Sequence, residues 1–308
     1  MVGVRRRGSR DAVLASDRWH IGSCAKAFTA ALWACLVERG QAEWEMPVPQ
    51  ALAGLGGKIH SEWNGQTMDS VLWSQAGFRA NLTQDQMEQA WEDRRPLVDQ
   101  RTDLARRALH ARPDRPGEFR YSNLGYIVVG AAIDRLAGAT FEQALDTWVL
   151  APLGIESAGF GPPAEIWGHP ARFRLGGFGL LAGPPADPSD AYSDNPAVLS
   201  AAGTMHITMA DWARFVRVFM VGGSNLLRDA TVDRLLMSPH GDPFGMAMGT
   251  AVLPGVGYVM QGSNTMWSTA ALIDNDRSRA ALVASNDGRN RVLRATGQLA
   301  ASLLGSSS

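Results

Sequence analysis

Apolar positions are densest between Cys24 and Val37, where Ala and Leu crowd together and no Gly or Pro interrupts until Gly40. Such a run predicts a helix beginning at Ser23 and closed by Glu38-Arg39-Gly40, with Gly40 as its C-terminal cap. Before it, residues 2–21 read as short extended segments with a turn near Gly8 and Ser9. After it, Pro47, Pro49 and the Gly-rich stretch at 54–57 mark a loop. Helical periodicity then dominates from Thr67 to Leu150, in MDSVLWSQ, in the charged run from Gln84 to Leu109, in Gly125–Leu136 and in Phe141–Leu150. Residues 151–199 are rich in Pro and Gly and read as a long irregular connection, a kind of segment that is usually functional in a compact protein.

A helix is predicted again from Met209 to Gly222-Gly223, over MADWARFVRVFMV. Beyond Leu236 the pattern changes to alternating or continuous apolar runs, PFGMAMGTAVL, GYVMQGS, TMWSTAALIDN and RAALVASND, separated by turn residues. A last helix is expected over Arg291–Leu304. The order implies an α+β fold: an antiparallel sheet built from both ends of the chain and flanked by helices, with an inserted all-helical lobe. Residues 1–60 and 200–308 would form the sheet lobe that carries the first strong helix. Residues 61–199 would form the mainly helical lobe with long loops.

Composition narrows the function. The chain has 308 residues, 45% of them hydrophobic, and a formal net charge of -1. No global field steers it to nucleic acid or an anionic membrane, and no run approaches the ~18 apolar residues of a membrane span. The start, MVGVRRRGSRD, lacks the apolar segment of a signal peptide. A cytoplasmic location is the default expectation, with a periplasmic or secreted one if the chain continues upstream. Oligomeric state leaves no mark in the sequence. Cys24 and Cys35 would sit about three turns, ~16 Å, apart on one helix, too far for a disulfide.

Of 29 basic residues only Lys26 and Lys58 are lysine; the other 27 are arginine. That bias gives Ser23-Cys24-Ala25-Lys26 its meaning. Residues three apart on a helix share a face, so a neutral Lys26 amine can take the proton of the Ser23 hydroxyl. The positive end of the helix and burial both disfavour the ammonium form. A capping serine with a solvent-facing lysine produces the same two letters. Arginine stays protonated and cannot serve as the base, so a lysine kept here, inside an Ala-rich apolar helix, is informative. Tyr121-Ser122-Asn123 is the second element: a tyrosine can relay a proton, and an asparagine offers a donor and an acceptor to a substrate amide. The third is Met260-Gln261-Gly262-Ser263, where Gly262 would admit a substrate backbone and the N–H groups of Ser23 and Ser263 would form an oxyanion hole.

These three elements in this order, with the phrases IGSCAKAFTA, YSNLGYIVVG and SAAGTMHITMADWARFV, resemble the class C β-lactamase and penicillin-binding protein-like family, including its carboxylesterase members. The resemblance spans roughly residues 15 to 300. It implies an acyl-enzyme serine hydrolase without metal or organic cofactor, in which Ser23 attacks a small ester or amide. Lys26 and Tyr121 would move protons, and Asn123, Met260, Gln261 and Gly262 would line the substrate. The family usually has Lys or His where Met260 stands, so a carboxylate-bearing β-lactam or D-amino-acid peptide would lose a charge-assisted hydrogen bond worth about 1.5–3 kcal/mol. Small uncharged esters or amides are favoured instead, with esters ranked first. The alternative is a weak or inert homologue that keeps the fold as a binding protein. The short stretch before Ser23 also leaves little chain for the strands that normally complete the sheet, so either the protein begins upstream or the sheet has an uncovered edge.

Replacing Lys26 by Arg keeps charge and bulk but removes the base. Ester turnover should fall about 10²–10⁴-fold, the usual contribution of general base catalysis. Retention of most of the wild-type rate in a steady-state ester assay would exclude Lys26 as that base.

Overall fold

The computed structural model describes residues 1–175, 178–239 and 245–305. Strand β1 (Arg18–His20) leads through a single 3₁₀ turn at Gly22–Cys24 into helix α1 (Ala25–Glu38). Short helices α2 (Val48–Ala51) and α3 (Met68–Leu72) precede the longer α4 (Gln84–Glu92), α5 (Leu97–His110) and α6 (Asn123–Ala137). Helix α7 (Phe141–Leu145) runs on as a π-helical turn to Leu150. Then come β2 (Gly159–Phe160), β3 (Ala171–Leu175), β4 (Phe178–Ala182), α8 (Ser200–Gly203), β5 (Met205–Thr208), α9 (Met209–Val216) and α10 (Asp229–Leu236). Strands β6 (Ala251–Leu253), β7 (Gly257–Ser263), β8 (Ser268–Ile273) and β9 (Ala280–Ser285) follow, and α11 (Asn290–Gly305) ends the described chain.

The fold is α+β, as its pattern of elements implies. Among the described residues the main sheet is an antiparallel meander, β6-β7-β8-β9, with Gln261 opposite Ala270 and Ser263 opposite Ser268. The expectation that both chain ends build this sheet is not met. Strand β1 pairs instead with β5, Trp19 opposite Ile207, in a separate sheet of order β1-β5-β2. The first residues make only an isolated bridge, Val4 with Ala12. Their other ties are scattered side-chain contacts, such as the Arg5–Asp17 ion pair, Arg6 over the Trp167 ring and Asn286 Nδ2 donating to the Arg5 carbonyl at 3.1 Å. Arg5, Arg6 and Arg7 are too polar for a core-facing strand, and Gly3 and Gly8 break its length. The outer edge of β9 accordingly has no strand partner among the described residues.

Other elements differ in detail from the sequence pattern. The run from Gln84 to Leu109 is two helices, because Pro96 has no N–H to continue the first and instead opens the second. The region 151–199 contains β2 and the β3–β4 hairpin. The start of PFGMAMGTAVL lies outside the described residues, and of its remainder only Ala251–Leu253 is strand.

Helix α1 is buried on every side, with all residues from Ala25 to Leu36 inside the protein. A helix apolar all round has no solvent face to present, and α1 becomes the axis about which the rest packs. One continuous core extends from Ile21 through α1 and α6 to Ile273 on β8. Phe28 of α1 stacks on Phe215 of α9. Among the described residues no single helix is long and apolar enough to cross a membrane.

Helix α6, which carries Asn123, is fixed by an ion cluster. Arg101 of α5 is wholly buried and donates from Nε and Nη2 to Asp134 at 2.7 and 2.8 Å. Its Nη1 donates to Glu142 at 2.8 Å and to Ser200 Oγ at 3.0 Å. One guanidinium thus joins α5, α6, α7 and α8. Removing a single partner from such a group strands the remaining charges in the interior. Arg101→Met should therefore lower unfolding stability by about 3–5 kcal/mol in a denaturant titration; a loss below about 1 kcal/mol, the size of a surface pair, would mean that the cluster contributes no net cohesion.

Candidate active site

Ser23 lies in the middle of the 3₁₀ turn that opens α1. Gly22 before it has φ +51°, a conformation that L side chains rarely adopt, and a Cβ there would sit 2.5 Å from the Ser263 nitrogen. Gly262 meets the same constraint from the strand: a Cβ would collide with the Ile21 carbonyl and lie 2.8 Å from the Ser23 nitrogen. Two glycines therefore let β7 press against the start of α1. The backbones of Ser23 and Ser263 are brought to one place.

Ser23 Oγ is held between two polar groups. The Tyr121 hydroxyl donates to it at 2.6 Å, and Lys26 Nζ lies 3.3 Å away. Lys26 is 2% exposed. Its Nζ donates to Asn123 Oδ1 at 2.7 Å and to the Ala202 carbonyl at 2.6 Å. The rings of Tyr121 and Tyr126 flank it, with centroids 4.8 and 5.4 Å distant. Burial pulls the Lys26 amine down to about 7, opposed only weakly by the Cys24 thiol. A neutral amine at this position spends its two N–H groups on Asn123 and Ala202, which leaves the lone pair for Ser23.

Tyr121 stands on the segment before α6, whose N-cap is Ser122. The Ser122 hydroxyl accepts the Gly125 N–H at 2.8 Å and donates to the Arg79 carbonyl at 2.6 Å. The Tyr121 residue is 37% exposed. Its hydroxyl, turned to Ser23, is desolvated enough to be pushed up to about 12. It remains a protonated donor near neutral pH. Asn123 is oriented by donating from Nδ2 to Asn81 Oδ1 at 2.6 Å.

The structure brings Ser23, Lys26, Tyr121, Asn123, Gly262 and Ser263 together. Met260 and Gln261 are not placed as expected. Met260 is 1% exposed and belongs to the core. The Gln261 side chain turns the other way, its Nε2 donating to the Leu293 carbonyl of α11 at 2.8 Å. Strand alternation explains both. With Gly262 pressed onto the α1 turn, Met260 shares its inward face and Gln261 takes the opposite one. Neither side chain lines the cleft that contains Ser23.

That cleft has a volume of about 320 Å³. Its walls include Asn81, Asn123, Asn195 and Asn264, with Met87 and Leu199 as apolar surface, and no charged side chain among the described residues. Asn81, Asn195, Asn264 and the Ala202 carbonyl escaped the sequence reading. The helix expected from Met209 is α9; the residues before it fold as α8 and β5, and α8 supplies that carbonyl. Asn195 comes from the long connection over residues 151–199.

A Beta-lactamase family model matches residues 1–304. The chain belongs to the beta-lactamase family. Penicillin-binding protein 4 of Amycolatopsis lactamdurans is 25% identical over 221 residues, 72% of this chain but only 55% of that protein. The chain thus spans about half the length of this curated relative. Among solved structures, the D-amino acid amidase from Ochrobactrum anthropi SV3 superposes with a TM-score of 0.76 at 17% identity, covering 99% of this chain and 89% of that one. The class C beta-lactamase from Rhodobacter sphaeroides gives 0.74 at 17% identity, covering 98% and 90%. Identities this low carry the β-lactamase/transpeptidase-like fold, while the family match marks a serine hydrolase lineage.

The site geometry sets a pH dependence. Lys26 must be neutral to accept a proton, so kcat/KM should rise about tenfold per pH unit below a midpoint near 7 and level off above it. Ester hydrolysis across pH 5–9, corrected for the uncatalysed rate, checks this. A profile flat down to pH 5 would show that no group of this kind controls acylation.

Proposed function

We propose that this protein is a serine hydrolase acting through an acyl-enzyme on small uncharged esters, with Ser23 as nucleophile, Lys26 as base and Tyr121 as proton donor. The observation that carries the reading is Ser23 Oγ held between the Tyr121 hydroxyl at 2.6 Å and the Lys26 amine at 3.3 Å. In acylation Oγ bonds to the substrate carbonyl carbon and its proton passes to Lys26 Nζ. The oxyanion accepts the N–H groups of Ser23 and Ser263. As the tetrahedral intermediate collapses, Tyr121 gives its proton to the departing alkoxide, and the proton on Lys26 makes good that loss. Water then adds to the acyl carbon with the same groups in reverse order, releasing the acid and restoring the Ser23 hydroxyl.

Substrate class follows from the walls. A cleft of about 320 Å³ without a charged side chain among the described residues offers nothing to pair with a carboxylate, and a buried unpaired charge is costly. Amide hydrolysis is the second reading. It is favoured by the carboxamides of Asn81, Asn123 and Asn195 along the cleft, which can donate to and accept from a substrate amide, and by the likeness to a D-amino acid amidase. A small-molecule substrate remains the proposed partner in either case.

Intact mass after treatment with a fluorophosphonate probe tests the nucleophile, with Ser23→Ala beside the wild type. One adduct on the wild type and none on the variant is expected. Turnover should then rank p-nitrophenyl acetate above a neutral D-amino-acid amide and both above nitrocefin, with Ser23→Ala at background. A folded wild type that takes no label would leave the inert binding homologue as the better account.

A further inference from the structure

We infer that His20, Asp194 and Asn264 form a buried tether that holds both backbone donors of the proposed oxyanion hole in register, an inference that rests on the hydrolase reading above. None of the three belongs to a motif of the nucleophile, base or proton donor. His20 ends β1, and its side chain is fully enclosed, stacked on Trp267 with ring centroids 5.3 Å apart. Its Nδ1 accepts the N–H of Gly22 at 3.1 Å, so the proton of this imidazole is on Nε2. That N–H donates to Asp194 Oδ2 at 2.9 Å.

The other carboxylate oxygen faces the other half of the hole. Asp194 Oδ1 accepts from Asn264 Nδ2 at 2.8 Å and from the Asn195 N–H at 2.7 Å. Asn264 follows Ser263 directly, and its Oδ1 accepts the N–H groups of Met266 and Trp267 at 3.1 and 3.2 Å. The turn so fixed includes Thr265, whose φ of +72° requires surrounding restraint. On one side, then, the chain runs from Asp194 through His20 to Gly22, the residue before Ser23. On the other it runs from Asp194 to Asn264, the residue after Ser263. His20 and Asp194 do not line the cleft and touch no reacting atom. They are positioning residues, and the carboxylate is their common anchor.

Asp194→Asn breaks the logic without changing shape. Its new NH₂ group either faces the Nε2–H of His20 or, if the amide turns over, faces Asn264 Nδ2. In the first case the imidazole must move its proton to Nδ1, which then confronts the Gly22 N–H. Each outcome frees one donor segment. His20→Gln is the second variant: it reaches Asp194 but cannot accept from Gly22. His20→Asn is the conservative one, since its Oδ1 can stand where Nδ1 stood.

The readout compares p-nitrophenyl acetate with its thionoester, in which sulfur, a poor hydrogen-bond acceptor, replaces the carbonyl oxygen. A positioning role predicts that Asp194→Asn and His20→Gln lower the ester kcat about 10–100-fold, part of the 10²–10³ carried by one oxyanion donor. The thionoester rate should change less than about threefold, because a thionoester draws little on those donors. His20→Asn should recover part of the ester rate. Ester and thionoester rates that fall in proportion, or ester rates that do not fall, overturn the tether; if one variant does not fold, the other decides. Fluorophosphonate labelling of the wild type separates the two levels. A labelled wild type with unmoved variants removes the tether alone, whereas an unlabelled wild type removes the nucleophile assignment and the tether with it.

Discussion

An amine inside a protein must find an acceptor for each N–H it carries and must lose its charge cheaply, and most of this architecture serves that requirement at Lys26. Enclosure by α1, α6 and α8 brings the amine down to about 7. Among the described residues no carboxylate lies within its set of hydrogen bonds; its two N–H groups go to a carboxamide and a main-chain carbonyl, and the serine hydroxyl faces the remaining lone pair. A carboxylate in the same place would restore the charge and remove the base. The neutral character of the surroundings is thus as much a part of the chemistry as the lysine.

Each group around the Lys26 amine and the Ser23 hydroxyl is set by the fold. Asn123 is set by the N-terminus of α6 and by Asn81, and α6 in turn is held through Asp134 by Arg101. The Ala202 carbonyl comes from α8, whose Ser200 meets the same guanidinium. Tyr121 arrives on the segment that Ser122 pins to Arg79. The buried ion cluster and the active-site polar groups are separate networks, yet they share helices. Energy invested in one fixes the geometry of the other.

Sequence disclosed the parts of this site that are local. Ser23 and Lys26 are three apart on one helix, and Tyr121 and Asn123 flank a helix cap, so spacing alone relates them. The α+β order and most helices were legible for the same reason. Contacts between distant segments were not. His20 and Asp194 are 174 positions apart, and nothing in either neighbourhood announces the other. The Met260 and Gln261 side chains were misplaced because a strand pattern gives alternation but not its phase. Only the contact of Gly262 with the α1 turn determines which residues face inward. The first residues misled in the opposite way. Of the extended segments read between residues 2 and 21 only Arg18–His20 is a strand, because strand formation also needs a partner edge and β1 finds one on β5.

Helix α1 has no free face from Ala25 to Leu36, and this constrains how such a protein can diversify. Any change along the catalytic helix must be absorbed by a close-packed core. The side chains of Met87, Asn195 and Leu199 sit at the cleft without forming that axis. Substrate preference can therefore be altered by exchanging rim residues while the proposed nucleophile and base stay locked in place. The division separates a chemical centre enclosed by the core from a mouth that is open to alteration, and it is set by which residues the packing encloses.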